Sequence, residues 1–178
     1  KKAYNEVIKG NDKLISESSI EPIHSVKNYE ELVSPRDENL GSILDKSVII
    51  KLNGGLGTSM GLNSTKSLLN VRGELTFMDF IVNQIMHLRN SYNNDVRFLL
   101  MNSFSTSEET KEFLLNYPEL GLPEKIELIQ NIIPKIDAET YEAVSCDHSP
   151  ELEWCPPGHG DIYAALLGTG MLDTLVDS

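Results

Sequence analysis

The sequence predicts an α/β domain built on a mainly parallel, mixed sheet with helices on both faces. Three observations carry that prediction. Short apolar, β-branched runs alternate with amphipathic segments, a glycine-rich loop follows the first such run directly, and 178 residues with 40% hydrophobic content suffice for one core. Apolar runs of this kind, bounded by turn residues, suit strands buried on both faces, where no side is left for polar residues.

Residues 1–45 read as a polar, irregular leader packing over the domain, with a short helix before Gly10 and turn and capping residues from Ser16 to Pro22. Residues 46–178 read as the domain proper. Ser47-Val48-Ile49-Ile50-Lys51-Leu52 is the first strand, stopped by Asn53-Gly54-Gly55, and Ser67 to Val71 is a further short extended segment. Phe77 to Tyr92 has helical spacing, with Phe77, Ile81, Ile85 and Leu88 on one face and Thr76 as N-cap. Val96 to Met101 is the second strand candidate. Ser105 to Leu115 follows as a helix, with Ser107 as its cap and Glu108-Glu109 suited to the positive end of the helix dipole. Ile126 to Ile129 is the third strand, and a last helix starts with Asp161 as its N-cap, runs through Ile162 to Leu167 and ends at Gly168. Strand, helix, strand, helix, strand implies parallel pairing, and ligands of such sheets sit at strand carboxyl ends. Function is therefore expected in the loops after Leu52, Met101 and Gln130.

Acidic residues outnumber basic ones by 27 to 15, a formal charge of -12, which argues against any general affinity for nucleic acid or an anionic membrane. An anionic ligand would have to be met locally, by fixed amides and a few lysines. Cys146 and Cys155 make neither a disulfide framework nor a CxxC pair, which suits a cytoplasmic protein. No apolar run approaches the ~18 residues that span a bilayer, and no signal-peptide pattern opens the sequence. The opening at Lys1 and the ending at Leu175-Val176-Asp177-Ser178, in a helix or its cap, lead us to expect a piece of a longer polypeptide. Oligomeric state is not legible.

The stretch Lys51-Leu52-Asn53-Gly54-Gly55-Leu56-Gly57-Thr58-Ser59-Met60-Gly61 is the most informative. So many glycines cost backbone entropy, tolerable where φ is positive or where another group must approach the main chain closely. Successive N–H groups in such a loop can cradle phosphate oxygens. A plain structural turn would need only one or two glycines. Gly55-Leu56-Gly57 starts a GxG, but Gly61 falls one place late for the dinucleotide fingerprint, and Lys66-Ser67 lacks the preceding glycine of a Walker A loop. A glycine loop followed by a lysine, as in nucleotidyltransferases, is what remains.

The glycine stretch, with Lys66-Ser67-Leu68-Leu69 and Val71-Arg72 after it, resembles the opening motif of the UTP-glucose-1-phosphate uridylyltransferase (UDP-glucose pyrophosphorylase) family. Leu99-Leu100-Met101-Asn102-Ser103-Phe104 and Trp154-Cys155-Pro156-Pro157-Gly158-His159-Gly160-Asp161 resemble two further segments of it, in family order, so the likeness spans roughly residues 14–176. It implies the front part of a Rossmann-like, glycosyltransferase-A-like nucleotidyltransferase core. It also implies a nucleotide site lined by Leu52, Gly54, Gly55, Gly57, Gln130 and Gly158, mostly through main-chain amides. Lys66 would be the catalytic lysine, His159 would bind phosphate or sugar oxygens, and Met101 and Asn102 would lie at the floor. Gln130, which both donates and accepts, would read the imide edge of uracil. Two departures stand out. Thr65 replaces the proline that commonly precedes the lysine, and residues 62–64 differ from eukaryotic members, which points to a bacterial-type branch.

The implied reaction joins UTP and glucose 1-phosphate to give UDP-glucose and pyrophosphate, reversibly, with Mg²⁺ as cofactor. The resemblance places the metal ligands, a second lysine and much of the sugar pocket outside this segment, so no metal-binding residue is named and the segment alone is expected not to turn over. Zinc at Cys146, His148, Cys155 and His159 is a weaker reading, because the spacing matches no familiar finger. Another sugar 1-phosphate as substrate and a non-catalytic nucleotide-binding module are the alternatives.

Overall fold

The structure is a computed structural model and describes residues 2–10, 15–34, 37–57, 61 and 64–177. Helices α1 (Lys2–Ile8) and α2 (Asp37–Leu44) precede strand β1 (Val48–Asn53). A hairpin of β2 (Asn70–Arg72) and β3 (Leu75–Thr76) leads into α3 (Phe77–Tyr92), β4 (Arg97–Asn102) and α4 (Ser107–Leu114). The single turn α5 (Pro123–Ile126) opens into β5 (Glu127–Ile129), the short pair β6 (Ile133–Pro134) and β7 (Trp154–Cys155) follows, and helices α6 (Ile162–Gly168) and α7 (Met171–Val176) close the described part.

The 3-stranded sheet has the order β1-β4-β5, and both pairings are parallel. Phe98, Leu99, Leu100 and Met101 of the central strand are all at most 3% exposed, so both faces of β4 are covered, as the run of consecutive apolar residues requires. Each such side chain contributes roughly 1.5–3 kcal/mol by leaving water. Met78, Val82 and Ile85 of α3, Leu114 of α4, Leu128 of β5 and Ala165 of α6 complete this core.

The expected elements form, with instructive shifts. The buried face of α3 is Met78, Val82 and Ile85, whereas Phe77, placed on the core face by its spacing, is 51% exposed and turns to a cleft described below. Thr76 does cap this helix, in a full capping box. Its hydroxyl accepts from the Asp79 amide at 3.2 Å, and the Asp79 carboxylate accepts from the Thr76 amide at 2.6 Å. Tyr117 donates to the other oxygen of Asp79. Burial alone would raise the Asp79 carboxyl, but the hydrogen bonds from Tyr117 and Thr76 outweigh it and hold it below its usual value of 3.8. Burial and the Asp79 carboxylate push the Tyr117 hydroxyl up to about 12.

Residues 66–68 form a 3-10 turn, so the extended segment expected over Ser67 to Val71 is confined to β2. Ser107 is the first residue of α4 rather than its cap. Thr106 precedes it and uses its hydroxyl to link Ser103 N and Asn53 O instead of capping. In the leader, α2 forms where irregular chain was expected, and its Leu44 packs on the core. Between 15 and 34, by contrast, Ile15, Ile23, Val26 and Val33 stand at least 76% exposed.

Candidate functional site

The carboxyl ends of the strands line up. Register sets Asn53 opposite Asn102 and Asn102 opposite Ile129, and the next amide, Gln130 N, donates to Asn102 O at 2.8 Å. Asn53 Nδ2 donates to Asn102 Oδ1 at 2.7 Å and to Thr110 Oγ1 at 3.0 Å, and Asn102 Nδ2 donates to Glu127 Oε1 at 2.7 Å. The Ser67 hydroxyl donates to Asn53 Oδ1 at 2.5 Å. Among the described residues no buried side-chain nitrogen or oxygen lacks a partner. A fully satisfied polar network of this kind is rigid, because each bond broken would strand a buried group. Ser67 is thereby fixed to the end of β1, and with it the neighbouring Lys66.

Beyond Asn53 the chain enters the glycine loop. Leu56 and Thr65 form an isolated antiparallel bridge, flanked by Gly57 N to Ser64 O at 3.0 Å and Lys66 N to Gly55 O at 3.2 Å. The Gly57 amide, expected to meet a ligand, is thus used in closing the loop. Gly54 is required by close approach, since a Cβ there would lie 2.6 Å from Gln130 Oε1. Residues 58–60 and 62–63, which include Ser59 and two of the three positions in the 62–64 departure, lie outside the described residues.

A cleft of ≈ 490 Å³ opens beside this loop, lined by Leu52, Gly55, Lys66, Phe77 and His159 together with Lys51, Asn53, Ser67, Leu69 and Ile81. Lys66 and His159, far apart in sequence, therefore line the same cleft, and both are exposed. Lys51 donates to Leu52 O at 2.6 Å, and burial lowers its pKa from 10.5. Next to the cleft, Gln130 is 3% exposed, and its Nε2 donates to Gly158 O at 2.6 Å. Gly158 has φ +109°, a backbone region that favours glycine. Asp161 sits at the N-cap position of α6 without capping it, and its carboxylate accepts instead from Asn131 N at 2.7 Å and Asn131 Nδ2 at 3.0 Å. That pair ties the 158–161 turn to the end of β5. Met101 and Asn102, expected at the floor, are fully buried at the end of β4, and neither lines the cleft.

Lys66, Leu52, Gly55 and His159 are thus brought to one cleft, and Gln130 lies between Gly54 and Gly158, close to the first and bonded to the second. Sequence reasoning missed Lys51, Phe77, Asn53, Ser67 and the α4 residues behind them. The available signal was an asparagine ending each of two apolar strands. A larger hollow, ≈ 630 Å³, lies at the strands' amino ends among Arg89, Arg97, Lys125 and Met171. Ligands of parallel sheets bind at the opposite ends, and the Arg89 guanidinium is engaged by Val96 O and Glu119 O. Among the described residues no group of three or more His, Cys, Asp or Glu gathers to hold a metal ion.

A parallel sheet with its polar strand ends turned to a glycine loop and a lysine puts the chain among the α/β nucleotidyltransferases, and solved structures that superpose well on it have that fold. Trypanosoma brucei UDP-glucose phosphorylase superposes with a TM-score of 0.85 at 43% identity, covering 98% of this chain and 37% of the other. A Leishmania major UDP-glucose pyrophosphorylase variant in complex with UDP-glucose gives 0.84 at 43% identity, over 98% and 36%. The family follows from the sequence: residues 1–178 match UTP–glucose-1-phosphate uridylyltransferase, and the chain belongs to that family. The Dictyostelium discoideum UTP–glucose-1-phosphate uridylyltransferase 2 is 36% identical over 99% of this chain and 36% of its own length. The chain therefore spans about a third of the length of such relatives. The relatives named here are eukaryotic and lend no support to the bacterial-type branch expected from residues 62–64.

Proposed function

We propose that this chain is the UTP-binding portion, centred on residues 46–178, of a uridylyltransferase that makes UDP-glucose and pyrophosphate from UTP and glucose 1-phosphate, reversibly. The observation that carries the reading is the meeting of Lys66 and His159 in one cleft, beside the Gln130–Gly158 pair. Relatives that carry this activity in their names support it.

In the reaction a phosphate oxygen of glucose 1-phosphate attacks the α-phosphorus of UTP, and the bond from that phosphorus to the pyrophosphate oxygen breaks with inversion. No general base is required, because a phosphate monoester with a second pKa near ~6 is already largely dianionic at neutral pH. Catalysis then reduces to positioning and charge compensation. Lys66 offsets the charge that gathers on the α-phosphate and the departing pyrophosphate. Leu52, Gly54 and Gly55 line the nucleotide, Gln130 and the Gly158 backbone face the uracil, and His159 donates to phosphate or sugar oxygens. Gly57 serves by shaping the loop. Mg²⁺ would supply counter-charge to the triphosphate, and among the described residues no group of three or more His, Cys, Asp or Glu gathers to hold it. Both cysteines are free thiols, in keeping with a cytoplasmic setting.

The test is synthesis of UDP-glucose by the full-length polypeptide carrying this segment, with Lys66→Ala as control and a panel of sugar 1-phosphates as substrates. Glucose 1-phosphate should be used best. Turnover by residues 1–178 alone would contradict the reading of a partial site.

A further inference from the structure

Lys66 is held from one side by Ser67, through Asn53. The other side is gripped by a residue outside the cleft. Glu109 Oε2, on α4, accepts from Thr65 N at 2.8 Å and from Thr65 Oγ1 at 2.7 Å. Thr65 is fully buried, and its carbonyl accepts from Leu68 N at 3.0 Å, which starts the turn that carries Lys66.

The bridge geometry explains why a side-chain acceptor is needed. Hydrogen bonds on either side of the Leu56–Thr65 pair, from Gly57 N and Lys66 N, make it a non-hydrogen-bonded pair. The Thr65 amide therefore points away from the glycine loop and finds no backbone acceptor there. Glu109 supplies one, and a carboxylate accepting two donors on one oxygen forms charge-assisted bonds with a defined direction. The position of α4 is thus transmitted to the backbone immediately before Lys66.

We infer that Glu109 is a positioning residue for the reaction, acting through Thr65 to set where the Lys66 ammonium stands in the cleft. The inference rests on the proposed catalytic use of Lys66. It also makes a specific claim about position 65. Thr65 has φ −61° and ψ 123°, within the range a pyrrolidine ring imposes, and its amide takes no part in the bridge. A proline there could fix the same backbone covalently and leave Glu109 with nothing to hold.

The experiment compares Glu109→Ala, Glu109→Gln, Thr65→Pro and the double variant Thr65→Pro/Glu109→Ala in the full-length polypeptide. Glu109→Ala should lower kcat roughly tenfold with KM for UTP changed less than about twofold, as expected for a misplaced rather than a missing group. Glu109→Gln, whose amide oxygen can still accept both bonds, should recover most of that loss. In the Thr65→Pro background Glu109→Ala should add nothing. Wild-type kcat in Glu109→Ala, or an undiminished loss in the proline background, would overturn the inference. Hydrogen exchange of the Thr65 amide separates it from the functional reading. Protection should be present in the wild type, lost in Glu109→Ala and kept in Glu109→Gln whether or not UDP-glucose is made. Equal protection in all three would refute the clamp even in an active enzyme, and absent synthesis by the wild type would refute the reaction alone.

Discussion

The two ends of the same three strands are finished in opposite ways. At the carboxyl ends the terminal side chains are buried and bonded, Asn53 to Asn102 and Gln130 to the Gly158 carbonyl, and all three residues are at most 4% exposed. At the amino ends stand Val48, 37% exposed, and the longer charged side chains of Arg97, Glu124 and Lys125 around an open hollow. Long charged side chains keep their heads in water and their freedom of movement, whereas short amides and hydroxyls hold one arrangement once water is excluded. Order is therefore concentrated at the carboxyl ends, and the amino ends are left adaptable.

Substitutions at the two ends can break this comparison. The largest effect is expected from Lys66→Ala, which should lower kcat by about 10²–10³ in the full-length polypeptide, the magnitude of losing one aimed charge at a transition state. Asn53→Ala should come next. It strands partners on Ser67, Asn102 and Thr110 and should cost about 2–3 kcal/mol, read as a lower urea midpoint at unchanged m. Gly54→Ala should cost about 1–3 kcal/mol because its Cβ meets Gln130, while Gly55→Ala, with no atom nearer than 4.0 Å, should stay within about 0.5 kcal/mol in the same titration.

The capping box gives a pH dependence whose sign is fixed. The Asp79 carboxyl is held below 3.8, so its contribution is complete above that value and fades as pH falls through the lower folded-state value. Tyr117 is raised from 10.0 to about 12, so its contribution is complete below pH 10 and fades toward pH 12. Thermal midpoints should lose both features in Asp79→Asn, with about 1 kcal/mol of capping lost at neutral pH. The smallest effect belongs to the amino ends. Arg97→Ala should change stability by less than about 0.5 kcal/mol and kcat by less than about twofold. A loss there matching that of Asn53→Ala would erase the contrast.

The sheet was legible because β1, β4 and β5 are apolar runs bounded by turn residues, a pattern that burial on both faces imposes. Helix α2 was not, since its window has few apolar positions and a glycine inside. Gly41 is there because a Cβ would lie 2.9 Å from Tyr92 O, a contact across the fold that no local pattern encodes. Phe77 has the spacing of a core residue, yet it follows the β2–β3 hairpin and faces the cleft. The glycine loop and Lys66 could be found as a motif. In the sequence Thr65 stands out only as a departure and Glu109 only as a helix-end charge, because what joins them is register between a bridge and α4 rather than sequence spacing. The same holds for Asn53 and Asn102, whose partnership exists only once the strands are paired.

The hydrogen bond from Gln130 to the Gly158 carbonyl joins the end of the sheet to the turn that carries His159. Gln130 Nε2 keeps a second N–H and the Gly158 carbonyl a second lone pair, so each can take a further partner while the internal bond stays. Breaking that bond would leave the buried Gln130 amide short of a partner, a penalty of about 1–3 kcal/mol. The turn is thus tethered to the sheet by a bond that a newcomer can add to without replacing.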